Sequence, residues 1–308
     1  MYGRLTAAAL AAAALTFAQP AAAASEGCGS GILDGKRVTI LVEGDGPDVV
    51  LIPGLSTPRA VWDATAERLK NRYRLHRVQI RGFGDDAGIN AEGPVLDPMM
   101  KEVADYIDDC ITDTGRPAPA VIGHSMGGLT GLMIAARAPG EVGKLMIVDA
   151  VPFIGTIFFP GATVDMMKPH AEAMAAAMRG QMDRGWPEGP ITDPGEASPM
   201  GRMSNSAAGR IQVSEWTRTA DSRVTAQVFY EVMTTDMRGG LPAVQAPVTL
   251  LYAQDDTVMP AAMAKAAFEP QYAGTPRFEA RMVSGSRHFI MIDQPEAFAA
   301  AVEAFLAE

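Results

Sequence analysis

The run Gly123-His124-Ser125-Met126-Gly127 has the spacing G-x-S-x-G, with the apolar Ala120-Val121-Ile122 before it and Gly128 after it. A strand feeding straight into a helix through such a turn holds the central serine in a strained backbone conformation and lifts its hydroxyl clear of the sheet. The two glycines let the helix pass close to the strand. The helix start would also aim the Met126 N–H, with a favourable dipole, at the place where an oxyanion develops. Ser125 therefore reads as a nucleophile, against the plainer alternative of a helix N-cap. A serine hydroxyl needs a base, and the chain has only four histidines: His76, His124, His170 and His288. Its two cysteines, Cys28 and Cys110, have no metal-ligand spacing and no adjacent histidine, which argues against zinc or thiol chemistry.

The elements that must position Ser125 follow from hydrophobic periodicity. Apolar runs predict strands over 38–42, 49–52, 74–80, 117–123, 144–148, 247–252 and 277–283. Helical spacing predicts helices over 60–70, 94–112, 126–138, 261–268 and 295–306. Strands alternating with helices imply an α/β fold, a mostly parallel central sheet with helices on both faces. From 151 to 245 the pattern changes: Gly, Pro and Met become frequent and no strand is evident, so a helical lid is expected there. Met174, Met178 and Met182 share one helical face in it, either to pack the lid onto the core or to form an adaptable apolar wall.

With the strand–turn–helix context in place, the chain resembles the α/β-hydrolase family from about residue 38 to the C-terminus, the lid apart. That family orders its triad as Ser, then Asp or Glu, then His. Tyr252-Ala253-Gln254-Asp255-Asp256-Thr257-Val258-Met259-Pro260 is similar to the family's G-x-x-D-x-V-x-P segment, with Ala253 where Gly is usual. The match implies Asp256 as the acid that orients the base, over Asp255. Asp149, after the strand 144–148, is a third candidate, since some relatives take the acid from that neighbouring strand end. Ser284-Gly285-Ser286-Arg287-His288-Phe289 is similar to the family's histidine loop and implies His288 as general base. The resemblance also implies a second oxyanion donor after an early strand, at Leu55 in Leu51-Ile52-Pro53-Gly54-Leu55, with Pro53 where the family commonly has His. Gln79-Ile80-Arg81-Gly82-Phe83-Gly84 resembles the family's D-x-R-G-x-G loop, with Arg81 expected to anchor loops.

Composition sets the remaining bounds. The 308 residues are enough for one catalytic domain, divided as 25–150 and 246–308 around a lid at 151–245. A net charge of -10 disfavours a nucleic-acid surface, which needs clustered Lys and Arg. Residues 1–24 carry Arg4, an apolar run over 5–17 and Ala22-Ala23-Ala24, the pattern of a signal peptide cut before Ser25. The run is short and interrupted by Gln19-Pro20, so no stable membrane insertion is expected, and the mature chain is expected in the periplasm or outside the cell. Disulfides persist there, which admits a Cys28–Cys110 bridge worth roughly 4 kcal/mol in the chain-entropy picture. No nucleotide-binding glycine motif is present, so no cofactor is implied. The expected activity is hydrolysis of a small, apolar carboxylic ester through an acyl-enzyme. An amide, a lactone, a carbon–carbon bond, or binding with little turnover are the alternatives. Sequence leaves the oligomeric state open.

Overall fold

A computed structural model of the chain describes residues 28–186 and 188–308. The expected signal segment, 1–24, lies outside the described residues. The chain order is β1 (Gly31–Asp34), β2 (Val38–Glu43), β3 (Asp48–Ile52), α1 (Asp63–Leu69), β4 (Arg74–Ile80), α2 (Leu96–Ile107), β5 (Ala120–His124), α3 (Met126–Arg137) and β6 (Lys144–Val148). Four helices follow: α4 (Gly155–Phe158), α5 (Val164–Asp183), α6 (Ala207–Thr219) and α7 (Ser222–Thr234). Then come β7 (Val248–Gln254), α8 (Ala261–Phe268), β8 (Phe278–Ser284), α9 (Ile290–Asp293) and α10 (Pro295–Ala307).

Among the described residues eight strands form one sheet in the order β1-β2-β4-β3-β5-β6-β7-β8. The pairs β1–β2 and β2–β4 are antiparallel and every later pair is parallel. The central strands β3, β4, β5, β6 and β7 are buried on both faces, and alternate residues feed two cores. Val50 and Ile52 of β3 join Val121, Leu145 and Leu250 in one core, under α2 and α3. Val49 and Leu51 join Ile122, Met146 and Leu251 in the other, under α1 and α10. Each such side chain, removed fully from water, contributes roughly 1.5–3 kcal/mol. The antiparallel edge strand β1 was not expected: four mostly exposed residues carry no periodic apolar signal, and β2 is the one strand they pair with.

The chain leaves β3 toward α1 on one face and leaves β5 toward α3 on the other. A crevice must open where adjacent strands send their connections to opposite faces, at the carboxyl ends of those strands. Gly54 and Ser125 flank it.

Among the described residues no strand interrupts the chain between β6 and β7. Side-chain caps start three of the four helices there, from Thr163, Ser206 and Asp221. Helix α5 buries Met167, Ala171 and Ala175, and the first two pack with Phe229, Tyr230 and Met233 of α7. The stripe Met174, Met178, Met182 lies beside that face. Met174 is exposed, Met178 half-buried, and only Met182 touches the main core. Cys28 and Cys110 form a disulfide that ties the start of the described chain to the end of α2. Among the described residues no helix is long and apolar enough to cross a membrane.

Candidate active site

Ser125 has φ 55° and ψ -119°, a conformation that costs an L-residue about 1–3 kcal/mol. The turn is fixed from both sides. The Ser125 N–H donates to the Val148 carbonyl at 2.8 Å, and the Ser125 carbonyl accepts from Leu129 at 3.1 Å. A Cβ on Gly123 would fall 2.2 Å from the Gly127 oxygen, and one on Gly127 would fall 2.2 Å from the Ile52 oxygen. Strand and helix therefore meet at a distance only glycine permits. Ser125 is half-buried, and among the described residues its Oγ bonds to no other protein group.

Met126 opens α3, so its N–H has no intrahelical acceptor. Leu55, in the loop after β3, likewise has an N–H without a protein acceptor among the described residues. That loop is braced: Ser56 takes φ 52°, and its Oγ lies 2.9 Å from Thr225 Oγ1 of α7. Pro53, which departs from the histidine common in the resembled family, is buried against the start of α3, and a proline removes only its own N–H.

His288 follows β8, and its Nδ1 lies 2.7 Å from Asp149 Oδ2. The carboxylate comes from the end of β6, so the expectation that Asp256 orients this ring is corrected. Asp149 takes φ 50°, donates its N–H to Leu251 at 2.7 Å, and accepts from Ala253 N–H at Oδ1, 2.9 Å away. One oxygen is spent on strand β7 and the other on His288. Asp256 sits in the turn beyond β7, exposed to water, where Gln254 Nε2 donates to its Oδ1 at 2.7 Å. Its neighbour Asp255 points inward to Arg287 Nε at 2.9 Å and accepts from Thr257 through both amide and hydroxyl. Those bonds, with Thr257 first and Arg287 after, hold the Asp255 carboxyl below the usual carboxylate range against the opposing pull of burial.

The histidine loop is gripped by the chain between α5 and α6. The His288 N–H donates to Arg202 O at 3.5 Å, Phe289 N–H to Met203 O at 2.9 Å, and Arg287 Nη1 to Gly201 O. Asn205 Nδ2 reaches Gly285 O at 2.6 Å. Beside His288 and Asp149 lies a cavity of about 230 Å³ lined by Ile154, Ile157, Met203, Val258, Met259 and Phe268 among others. Its wall is mostly apolar, and its volume is below the roughly 300–1,000 Å³ of sites that enclose a drug-sized ligand, so it would hold one portion of a larger molecule.

Two of the other histidines, His76 and His170, are placed elsewhere. His76 is buried near the amino end of β4, between Asp48 at 2.8 Å and Tyr106 at 2.6 Å. His170 is exposed on α5 beside Phe159. Arg81 anchors the β1–β2 turn through Gly35 O and Asp34. Gln79, where the resembled loop has Asp, is buried and bonds Arg59 N–H, Ile80 O and Phe83 O.

Residues 49–301 match the profile of the alpha/beta hydrolase family. A pimeloyl-[acyl-carrier protein] methyl ester esterase of Nitrosomonas europaea is 26% identical over 236 residues, 74% of this chain and 84% of that protein. Among solved structures, an esterase from Exiguobacterium antarcticum superposes with a TM-score of 0.67 at 18% identity, covering 91% of this chain and 100% of its own. The enol-lactonase from Burkholderia xenovorans LB400 superposes with a TM-score of 0.65 at 19% identity, covering 88% and 96%.

Proposed function

This chain belongs to the alpha/beta hydrolase family, and from that premise we propose that it hydrolyses a carboxylic ester by a serine acyl-enzyme route, with Ser125 as nucleophile, His288 as base and Asp149 as the acid that orients it. The observation that carries the reading is the His288–Asp149 hydrogen bond at the same strand ends that present the strained Ser125. With Asp149 occupying Nδ1, the ring proton is held there and Nε2 is left as the acceptor for the serine proton. Nucleophile–base hydrogen bonds are often long or poorly aligned before substrate binds and tighten around it, so a Ser125–His288 bond is expected in the substrate complex.

Ser125 Oγ attacks the ester carbonyl as His288 takes its proton, and the Asp149 side chain, bonded to Nδ1, stabilises the imidazolium. The Met126 and Leu55 N–H groups receive the tetrahedral oxyanion, and losing one such donor costs about 2.7–4 kcal/mol. His288 returns its proton to the departing alcohol, then activates a water that releases the acid and frees Ser125. The apolar cavity beside His288 supports a substrate with a small hydrophobic portion. The ester esterases among the relatives support an ester as the bond cleaved.

The N-terminal composition and the Cys28–Cys110 disulfide support export to the periplasm or beyond. The helices between β6 and β7 act as the lid in this reading. Ser125→Ala is expected to abolish turnover of short p-nitrophenyl esters while leaving the thermal midpoint near that of the parent. Retained turnover in that variant refutes the assignment, as does a fluorophosphonate label mapped to any other serine.

A further inference from the structure

Nucleophile and base stand on strands separated by two others in the sheet, so their anchor points lie roughly 14 Å apart at about 4.8 Å per strand. The histidine loop must lean back over β6 and β7 to bring His288 toward Ser125. One side chain spans the gap directly. His124, the residue before Ser125, is fully buried, and its Nε2 lies 3.0 Å from the main-chain oxygen of His288. Its ring sits 4.7 Å from both the His288 and the Phe289 rings.

We propose that His124 is a positioning residue, whose Nε2–H holds the His288 carbonyl and thereby sets where the base stands relative to Ser125. The inference rests on the roles proposed above for Ser125 and His288. Because the partner is a carbonyl, Nε2 carries the proton, and among the described residues Nδ1 is left as a buried acceptor with no partner. An unpaired buried acceptor is a liability that a phenylalanine filling the same space would not carry. What the histidine adds over a phenylalanine is its Nε2–H. Burial first, and the nearby His288 second, push the His124 pKa well down, so the ring stays neutral beside the imidazolium that forms during the reaction. His124 also abuts the oxyanion loop, since a Cβ on Gly54 would fall 2.9 Å from its Nδ1 and 3.2 Å from Ser125 Cβ. Nucleophile, base and oxyanion loop therefore meet at one ring.

Two variants test this on the full chain with a short p-nitrophenyl ester. His124→Phe keeps the ring volume and removes the donor, and kcat is expected to fall about 100-fold with KM little changed, the scale of an ångström-sized misplacement. His124→Gln offers an amide N–H near the position of Nε2 and is expected to recover most of that loss. Fluorophosphonate labelling of Ser125 should slow in parallel with kcat. If His124→Phe does not fold, His124→Asn replaces it, because its shorter amide leaves the His288 carbonyl unbound and predicts the same fall. Full kcat in folded His124→Phe or His124→Asn, or a Gln variant no better than either, overturns the proposal. Failure of the Ser125 assignment itself is read separately, from the site of the label in the unaltered chain.

Discussion

Two neighbouring strand ends each present aspartate to the same crevice, and only one of them reaches the histidine. Asp149, after β6, has its side chain 10% exposed, takes a positive φ, and has both carboxylate oxygens committed. Asp255 and Asp256, after β7, lie in a turn closed by the Asp255–Met259 bridge. Asp255 is turned inward to Arg287, and Asp256 outward to water. The lesson is that a carboxylate in the right loop is not enough. A backbone that turns the side chain, and a neighbouring strand that takes one of its oxygens, decide which acid meets the ring.

The largest expected effect comes from breaking the end that reaches. In Asp149→Asn the amide can donate to His288 Nδ1, which moves the ring proton to Nε2 and leaves nothing to accept from Ser125. Turnover is expected to fall on the order of 10⁴-fold, measured as kcat on a short ester. A loss of less than tenfold would mean that the 2.7 Å contact orients nothing that matters.

The strands and helices were legible because alternate burial and helical spacing leave direct marks in composition. The predicted helix over 261–268 coincides with α8, and the strand over 74–80 with β4. The elbow was equally legible, since Gly123 and Gly127 are forced by close approach. The orienting acid was not. Asp256 fits a sequence pattern over one short loop, whereas Asp149 is selected by its φ of 50°, a bond to Ala253 across 104 positions and one to His288 across 139. None of these leaves a local signature beyond an aspartate after a buried strand. The methionine stripe misled for a related reason: periodicity found a face of α5, but tertiary packing chose the adjacent one, Met167-Ala171-Ala175, to bury.

A smaller effect is expected at Asp255, and it is on stability. Arg287 is 7% exposed, and removing its carboxylate in Asp255→Ala leaves a buried cation with only carbonyl and hydroxyl partners and the more distant Glu196, 3.8 Å away. The cost should lie near the low end for a broken buried pair, about 3 kcal/mol by denaturant unfolding at pH 7. Because folding lowers the Asp255 pKa, its contribution is present above the unfolded value, 3.8, and is lost as pH falls through the lower folded value. The difference between variant and parent should therefore narrow below about pH 4, near the unfolded value. A gap that stays constant into that range would show that the Asp255 carboxylate is not what stabilises the turn.

The smallest effect is expected at Asp256, and it separates the two strand ends most cleanly. The side chain is exposed, among the described residues its one bond is to Gln254 two residues away, and no bond joins it to His288. Asp256→Asn keeps an oxygen for Gln254 and removes only the charge. Its kcat/KM should stay within about twofold of the parent, and its stability within about 0.5 kcal/mol, the range of surface substitutions away from special features. Were the histidine loop to swing toward β7 during turnover, Asp256 would become the orienting acid, and this variant would lose activity on the scale expected for Asp149→Asn. Running the two variants side by side under one assay therefore decides which strand end serves the base in the working protein. The His288–Asp149 bond requires that the losses be unequal by about three orders of magnitude or more.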